Sequence, residues 1–216
     1  MLTLHGHPLS TFVMKVTMAL YETGTPFEYQ LLDLGDGAAR ERFFVLWPLG
    51  KMPVLRDEAR GETVPETSAI LEYLSLYYPG KAELVPRSPD LAWRARLAER
   101  IFDLHVQVPM QKIVGDRIRP ADGKDPFGVN EARGQLARSL DFVDGQMAER
   151  AWALGETFSI ADCAAAPALF YADKVLPFAT THPNAWAYLT RLKARPSFAR
   201  SLKDAEPFFH MFPAEV

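Results

Sequence analysis

The chain has 216 residues, of which 48% are hydrophobic and 24% are charged. This composition is typical of a folded globular protein and excludes a disordered or fibrous one. The 24 Lys and Arg residues nearly balance the 27 Asp and Glu residues, which gives a net charge of -3. No overall field therefore favours nucleic acid or an anionic membrane as a partner.

The cysteine content and the hydropathy indicate a cellular location. Cys163 is the single cysteine, which excludes an intrachain disulfide and a multi-cysteine metal site and is typical of a reducing compartment. Residues 1–8 lack the positive start and the apolar core of a secretory signal. No stretch approaches the ~18–20 apolar residues that a membrane span requires. We therefore expect a cytoplasmic protein that does not cross a membrane.

The first 80 residues alternate strand and helix patterns. A β-like run at residues 2–4 is followed by apolar residues at helical spacing up to Gly24, a glycine typical of a helix end. Residues 27–31 alternate as in a strand, and a weak helical patch surrounds residues 40–44. Two short strands and a further helix follow, with the strands at 53–56 and 62–64 and the helix from Pro65 to a stop at 78–80. The predicted order is β-α-β-α-β-β-α, with the first two strands parallel.

The rest of the chain shows almost only helical periodicity. Residues 81–89 contain two prolines and no periodicity, which is typical of an exposed linker. Ser88 and Pro89 are consistent helix-start signals. The composition and patterning predict an α/β plus all-α protein, divided into an N-terminal domain (1–80), a linker (81–89) and an all-helical domain (90–216).

Two features of the helical part concern its packing. A stripe of apolar residues at helical spacing predicts the buried face of the helix that follows the linker, and its members are Leu97, Ile101, Leu104 and Val108. This stripe can pair with the next amphipathic helix. Ser159 to Asp162 is a capping box ahead of an alanine-rich segment, which predicts a buried helix.

A pair of hydroxyl residues marks the junction of the first strand and the first helix. Ser10 and Thr11 follow Gly6-His7-Pro8. Ser10 either caps the helix, as serine commonly does, or serves chemistry. A helix N-terminus favours an anion such as a thiolate, and a hydroxyl can donate one more hydrogen bond to it.

Two other segments also have a structural and a functional interpretation. Pro53 begins a strand, and it is either an ordinary trans proline or a cis proline that exposes the Met52 backbone to a peptide-like ligand. Glu66-Thr67-Ser68 is either a polar helix start or a site. As a site, Glu66 pairs with a ligand ammonium, and the Thr67 hydroxyl and N–H hold its carboxylate. An amino-acid head group requires this combination.

These segments resemble the cytosolic glutathione S-transferases in order and over essentially the whole chain. Residues 6–11 are similar to the segment around the catalytic serine of phi-class and bacterial serine-type members. Residues 48–53 resemble the Asn-Pro-x-Gly-x-x-Pro segment with its cis proline, with Trp47 in place of Asn, and residues 64–70 resemble the Glu-Ser-x-Ala-Ile signature. The resemblance implies a thioredoxin-like N-terminal domain, an all-helical C-terminal domain and glutathione as co-substrate.

The resemblance also assigns roles to individual residues. Ser10 is the catalytic hydroxyl that stabilises the glutathione thiolate, with Thr11 as the alternative contact to the sulfur. The residues that it implies for glutathione binding are Thr11, Arg40, Lys51, Met52, Pro53, Glu66 and Thr67. Among them, Glu66 and Thr67 hold the γ-glutamyl group and the Met52 main chain holds the cysteinyl part.

Recognition of the glycyl end departs from the family pattern. Lys51 is expected to reach the glycyl carboxylate. Family members often have a His-Lys pair where this chain has Ala38 and Ala39, so Arg40 is a further candidate.

A pocket for the electrophile is expected beside the sulfur, lined by Phe12, Leu34, His105 and Met110. Core packing explains these residues equally well, and an isolated histidine such as His105 is more often a core or cleft-lining residue. The five histidines are dispersed, so no metal site is expected. Cys163 is expected in the core rather than as a redox nucleophile.

The resulting hypothesis is a glutathione transferase of the detoxification type, in which the thiolate attacks a small hydrophobic electrophile. The resemblance implies a homodimer, with Leu49 or Phe44 as an interface residue. The alternatives are a non-catalytic glutathione-binding or scaffold protein of the same fold, and a peroxidase, isomerase or dehalogenase that uses the same thiolate.

Overall fold

A four-stranded sheet organises the N-terminal part of the chain, and the computed structural model describes residues 1–33 and 35–215. Its elements in chain order are β1 (Leu2–Gly6), α1 (Thr11–Thr23), β2 (Glu28–Leu31), α2 (Gly37–Leu46), β3 (Val54–Asp57), β4 (Glu62–Pro65) and α3 (Thr67–Tyr77). The strand order in the sheet is β2-β1-β3-β4, with β1 and β2 parallel and the other pairs antiparallel. The predicted β-α-β-α-β-β-α order of a thioredoxin-like unit is confirmed.

Apart from two isolated β-bridges within residues 152–157, the regular structure that follows the sheet in the described part of the chain is helical. The helices are α4 (Pro89–Ile101), a π-helix (Phe102–Gln107), α5 (Val108–Arg117), a 3-10 helix (Ala121–Gly123), α6 (Pro126–Met147), α7 (Ile160–Val175), α8 (Pro183–Ala194), α9 (Pro196–Ala205) and a second 3-10 helix (Glu206–Met211). Each of α4, α6, α8 and α9 begins with a proline, whose missing N–H has no intrahelical partner at that position. The α/β plus all-α class is confirmed.

Helix α7 is the centre of the helical core. Ser159 caps it with its side chain, and the Asp162 carboxylate accepts from the Ser159 backbone N–H, so the predicted capping box is formed. The helix packs against α1, α4 and the π-helix. Cys163 is fully buried within it, and burial raises the pKa of its thiol. The expectation that Cys163 belongs to the core is confirmed.

The segment between α3 and α4 is packed against the core at its centre. Leu84, Val85 and Pro86 are buried, and the Leu84 carbonyl accepts from the Ile160 N–H at the start of α7. The expectation of an exposed linker is therefore wrong at residues 84–86. Its prolines indicated irregular backbone but not the apolar contacts that hold the segment.

The buried face of α4 and of the π-helix is mixed, because polar residues lie there beside small and apolar ones such as Ala95, Phe102 and Val106. Leu97, Leu104 and Val108 are each about half exposed, at 51%, 52% and 48%. The buried positions include Glu99, Asp103 and Gln107, which contact polar side chains of α1. The predicted apolar stripe is therefore wrong as a buried face, because side chains of α1 satisfy the polar groups and allow them to be buried.

In the part of the chain that the structure describes, no helix is both long and apolar enough to cross a bilayer.

Candidate functional site

The register of the sheet brings the three predicted site segments to one edge. His5 of β1 pairs with Val54 of β3, and Val54 pairs with Pro65 of β4. Adjacent strands lie ~4.8 Å apart, so the three backbones lie within ~10 Å at this edge. Ser10 follows β1, Met52 precedes β3, and Glu66 follows β4. Residues far apart in sequence therefore meet at one end of the sheet.

Ser10 occupies the N-cap of α1. Its backbone is extended, and its Oγ accepts a hydrogen bond from the Val13 N–H at 3.4 Å. Its backbone N–H donates to the His7 carbonyl at 2.9 Å, which fixes the turn that follows β1. Ser10 is half-buried, and because its oxygen acts as the acceptor for the cap, its own O–H hydrogen stays available to donate. The capping and chemical roles are therefore compatible.

The Met52–Pro53 peptide bond is cis, the second of the two alternatives for this proline. Pro53 is buried at the start of β3, Met52 is half-buried, and Lys51 is exposed. Gly50 precedes them with φ of 65°. This conformation suits glycine, and a Cβ here would lie 2.5 Å from the Phe44 ring.

Glu66 and Thr67 form the turn from β4 into α3. Glu66 is exposed and has φ of 65° and ψ of 118°, while its carbonyl accepts from the Ile70 N–H. Thr67 is the first residue of α3 and is buried at 7% exposure. The carboxylate of Glu66 is thus free in solvent directly beside the open N–H groups of a helix start.

The electrostatics of this edge favour an anionic ligand. Helices α1 and α3 both begin here, and each N-terminus carries a partial positive charge. Two exposed cations lie nearby in the chain: Arg40 is on α2, and Lys51 is in the segment that leads into β3. The Glu66 carboxylate is the complementary group for an ammonium. A zwitterionic peptide with additional carboxylates matches this distribution.

A buried charged cluster lies beneath these two helix starts, and the sequence did not indicate it. The Lys15 amine on α1 contacts Glu99, and it contacts Asp103 at 2.7 Å. The Ser68 hydroxyl, next to Thr67, donates to Glu99 at 2.5 Å. Burial opposes ionisation of Glu99, but Arg100 and Lys15 overcome this effect and lower its pKa. The cluster ties α1 and the start of α3 to α4.

Three of the four residues expected to line an electrophile pocket are described, and they differ in exposure and surroundings. Phe12 is half-buried on the first turn of α1, next to Ser10. Leu34 lies outside the described residues. Met110 is 3% exposed within the main core, so it offers almost no surface to a bound molecule. This position corrects the expectation for Met110.

His105 lies beside α6. It is exposed and lines a groove of about 620 Å³ with Arg138 and Ser139 of α6. Its carbonyl accepts from the Ser139 hydroxyl at 2.7 Å. The structure thus places His105 on the α6 side of the π-helix, whereas Gln107 of the same helix contacts α1. His105 therefore faces the groove beside α6, and its part in an electrophile pocket stays a prediction.

An aromatic residue from the end of the chain lies against the segment that leads into Ser10. The Phe208 ring contacts the His7 ring edge-on, with 4.7 Å between centroids. Burial lowers the pKa of His7, which favours the neutral ring. Phe208 and Phe12 are both only partly buried, so this end of the site offers apolar surface. Sequence analysis missed Phe208 because no local pattern relates it to residue 7.

Among the described residues, no group of three His, Cys, Asp or Glu side chains is arranged to hold a metal ion.

Comparison with protein families identifies relatives over both parts of the chain. A family model described as the N-terminal domain of glutathione S-transferase matches residues 4–82. A second, described as the C-terminal domain of glutathione S-transferase, matches residues 119–191. Glutathione S-transferase 3 of Zea mays is 30% identical over 209 residues, covering 93% of this chain and 93% of the maize protein.

Solved structures give the same result. A glutathione S-transferase from Methylobacillus flagellatus, solved with glutathione bound, superposes with a TM-score of 0.86 at 25% identity, covering 93% of this chain and 98% of that chain. One from Methylobacterium radiotolerans, solved with glutathione sulfonate, has a TM-score of 0.79 at 30% identity and covers 93% of both chains.

Proposed function

The chain belongs to the glutathione S-transferase family, and we propose that it activates glutathione at the edge of the sheet where α1 and α3 begin. The activated sulfur attacks a small hydrophobic electrophile. The observation that carries this proposal is the position of Ser10, whose oxygen caps α1 and whose hydrogen remains free to donate. We place this activity in the cytoplasm as part of the same proposal.

Ser10 has a defined energetic task. A free thiol titrates near ~8.5, and lowering that pKa to ~6.5 requires about 2.7 kcal/mol of selective stabilisation of the thiolate. A hydrogen bond to a charged group contributes about 1.5–3 kcal/mol. The partial charge at the start of α1 contributes up to about 1 kcal/mol more. These two contributions are sufficient, so no general base is required.

The other segments bind the rest of the tripeptide. The Glu66 carboxylate pairs with the γ-glutamyl ammonium, and the Thr67 N–H and hydroxyl hold its carboxylate. The Met52 main chain beside Pro53 binds the cysteinyl part in an extended form. Lys51 and Arg40 attract the glycyl carboxylate. Binding at three points places the sulfur at Ser10, which supplies proximity to the electrophile.

The electrophile is held by apolar surface next to the sulfur. Phe12 lies on the first turn of α1, and Phe208 lies against His7 just before Ser10. An aromatic or alkyl electrophile packs on such surface without polar partners. We therefore place the electrophile between the N-terminal turn of α1 and the C-terminal 3-10 helix.

We further propose that the active form is a homodimer. Leu91, Trp93, Leu97 and Phe142 are exposed apolar residues along a groove of about 620 Å³ between α4 and α6. Exposed Val45 and Leu49, at 86% and 69%, project from α2 and the loop after it. A two-fold arrangement lets each copy insert this apolar loop into the groove of the other. Phe44, which is 45% exposed and lies close to Gly50, is the other candidate interface residue on this side.

The test of Ser10 is a pH titration of the protein with glutathione, in which ultraviolet absorbance follows the bound thiolate. We expect the wild-type protein to form the thiolate well below pH ~8.5, and Ser10→Ala to lose this shift. Turnover should fall ~10²-fold or more, while glutathione affinity changes only a few-fold, because the mutation removes thiolate stabilisation rather than ligand contacts.

Ser10→Thr is the control, since it retains both the hydroxyl and the capping acceptor. Unchanged turnover in Ser10→Ala would exclude Ser10 and indicate Thr11. Glutathione binding without a lowered thiol pKa in the wild-type protein would instead support a non-catalytic binding or scaffold protein. A lowered thiol pKa with no transfer to aromatic or alkyl halides would instead support a peroxidase, isomerase or dehalogenase that uses the same thiolate.

A further inference from the structure

Helices α4 and α5 are joined directly by a π-helical turn at Phe102–Gln107. Single π-turns within α-helices often occur at functional sites, and they arise where the regular hydrogen-bond ladder is interrupted. The interruption here is Pro109, which removes an N–H and crowds the carbonyl of His105 four residues earlier. The Ser139 hydroxyl of α6 donates to that carbonyl and satisfies it.

The face of this helix opposite α6 presents polar groups to α1. Gln107 is 2% exposed, and its Nε2 donates to the Thr11 Oγ at 2.5 Å. Thr11 is the first residue of α1 and directly follows Ser10. Gln107 is therefore one residue removed from the proposed thiolate-binding hydroxyl.

Core stability does not explain a glutamine at this position. The Gln107 Oε1 is buried and has no hydrogen-bond partner among the described residues. An apolar side chain of similar length would fill the same space without burying an unpaired acceptor. Among the described residues, the one hydrogen bond of the Gln107 amide is its donation to Thr11.

This contact has a geometric consequence for the start of α1. A threonine hydroxyl in the first turn of a helix can bond to nearby backbone groups and compete with the cap. Donation from Gln107 fixes the Thr11 rotamer and occupies its oxygen, so the capping role is left to Ser10. The Ser10 hydroxyl and the N–H groups of the first turn are then held in one arrangement around the sulfur.

We propose that Gln107 is a positioning residue for thiolate stabilisation and that it acts through Thr11. This proposal rests on the proposed function of Ser10. It adds to the site a residue of the helical domain that does not contact the ligand itself.

The test compares Gln107→Leu, Thr11→Val and the double variant by the pKa of the bound glutathione thiol and by the rate of transfer. Each single variant is expected to raise that pKa by about one unit and to reduce kcat/KM at pH 6.5 by about 5-fold, because the thiolate fraction falls from about a half to about a tenth when the pKa rises from ~6.5 to ~7.5. The glutathione affinity of Gln107→Leu, measured by calorimetry at low pH, should change by less than ~3-fold. The double variant should be no worse than the more impaired single variant, because both break the same contact.

Ser139→Ala is the matched control, since it removes a side-chain contact of the π-helical turn on the face away from α1. It is expected to lower thermal stability and to leave the thiol pKa unchanged.

An unchanged thiol pKa in Gln107→Leu and Thr11→Val would overturn the proposal. Gln107 would then have only a structural role. Equal effects in Ser139→Ala would overturn it as well, because the response would then reflect general loosening of the helix. If the wild-type protein itself binds glutathione without lowering its thiol pKa, the proposed function fails and this proposal fails with it. If the wild-type shift is present and only the Gln107 effect is missing, the function stands alone.

Discussion

Glu66 has a positive φ of 65°, which no other non-glycine residue has in the described part of the chain. This backbone conformation costs a non-glycine residue about 1–3 kcal/mol, and it persists where the surrounding structure enforces it. Here the pairing of β4 with β3 on one side and the start of α3 on the other enforce the turn. The turn leaves the Glu66 carboxylate in solvent beside the open N–H groups of α3, which is the arrangement needed to bind an amino-acid head group.

At the residue scale we expect Glu66→Gln to weaken glutathione binding by about 10-fold or more, because it removes a charged acceptor from the ligand ammonium. Turnover at saturating glutathione should fall much less. Isothermal calorimetry measures the affinity, and Glu62→Gln, at the other end of the strand that precedes Glu66, is a control that should bind normally. Undiminished affinity of Glu66→Gln would remove Glu66 from the site.

At the scale of single elements, α7 depends on the buried carboxylate at its start. Asp162 accepts from the Ala153 N–H at 2.9 Å, from the Ser159 N–H at 2.8 Å and from the Tyr188 hydroxyl at 2.6 Å. These contacts join α7 to α8 and to the loop before α7. Since α7 also packs against α1, the helix that carries Ser10 is supported from this point.

We therefore expect Asp162→Ala to lower the free energy of unfolding by at least ~3 kcal/mol, because it leaves two buried N–H groups and a buried hydroxyl without an acceptor. Urea denaturation followed by circular dichroism measures the change. Asp36→Ala is the matched control: Asp36 also caps a helix, but at an exposed position where water replaces the acceptor. Similar losses in the two variants would contradict this account of α7.

At the scale of the whole molecule, apolar surface is concentrated on the side of α4 that faces away from α1. Leu97, Leu104 and Val108 are exposed there, while Lys15 of α1 pairs with the buried Glu99 and Asp103 on the other side. A single chain in water leaves the apolar side uncovered. In the homodimer that we propose, a second copy would cover this side by docking its exposed Leu49 into the groove.

We expect the wild-type protein to have the mass of a dimer in light scattering at micromolar concentration, and Leu97→Glu to have that of a monomer, because a charge in the groove opposes its burial. Leu49→Glu should have the same effect from the other side of the contact. Ile118→Glu is the control, since Ile118 is 73% exposed at the end of α5 and does not line the groove. A monomeric wild-type protein would refute the homodimer.

The site was predictable to the extent that its signals are local. The hydroxyl ahead of α1, the proline at the start of β3 and the acidic turn before α3 each lie in a short motif, and all three are at the expected ends of their elements. The electrophile pocket was not predictable in the same way. His105 and Met110 lie on the same helical segment as Gln107. His105 is exposed and Met110 is buried, and this difference depends on which neighbour each residue faces.

The amino-acid sequence by itself determined the order of the strands and helices, the caps at Ser10, Gly24 and Ser159, and the family, because these depend on residues a few positions apart. Only the tertiary structure decided which face of α4 is buried. Lys15 and Glu99 are 84 residues apart, and their pairing allows a charged residue to be buried beside Ala92 and Ala95 while Leu97 of the same helix stays half exposed. Burial depends on partners that meet only when the chain is folded, so hydrophobic spacing within one helix could not identify it.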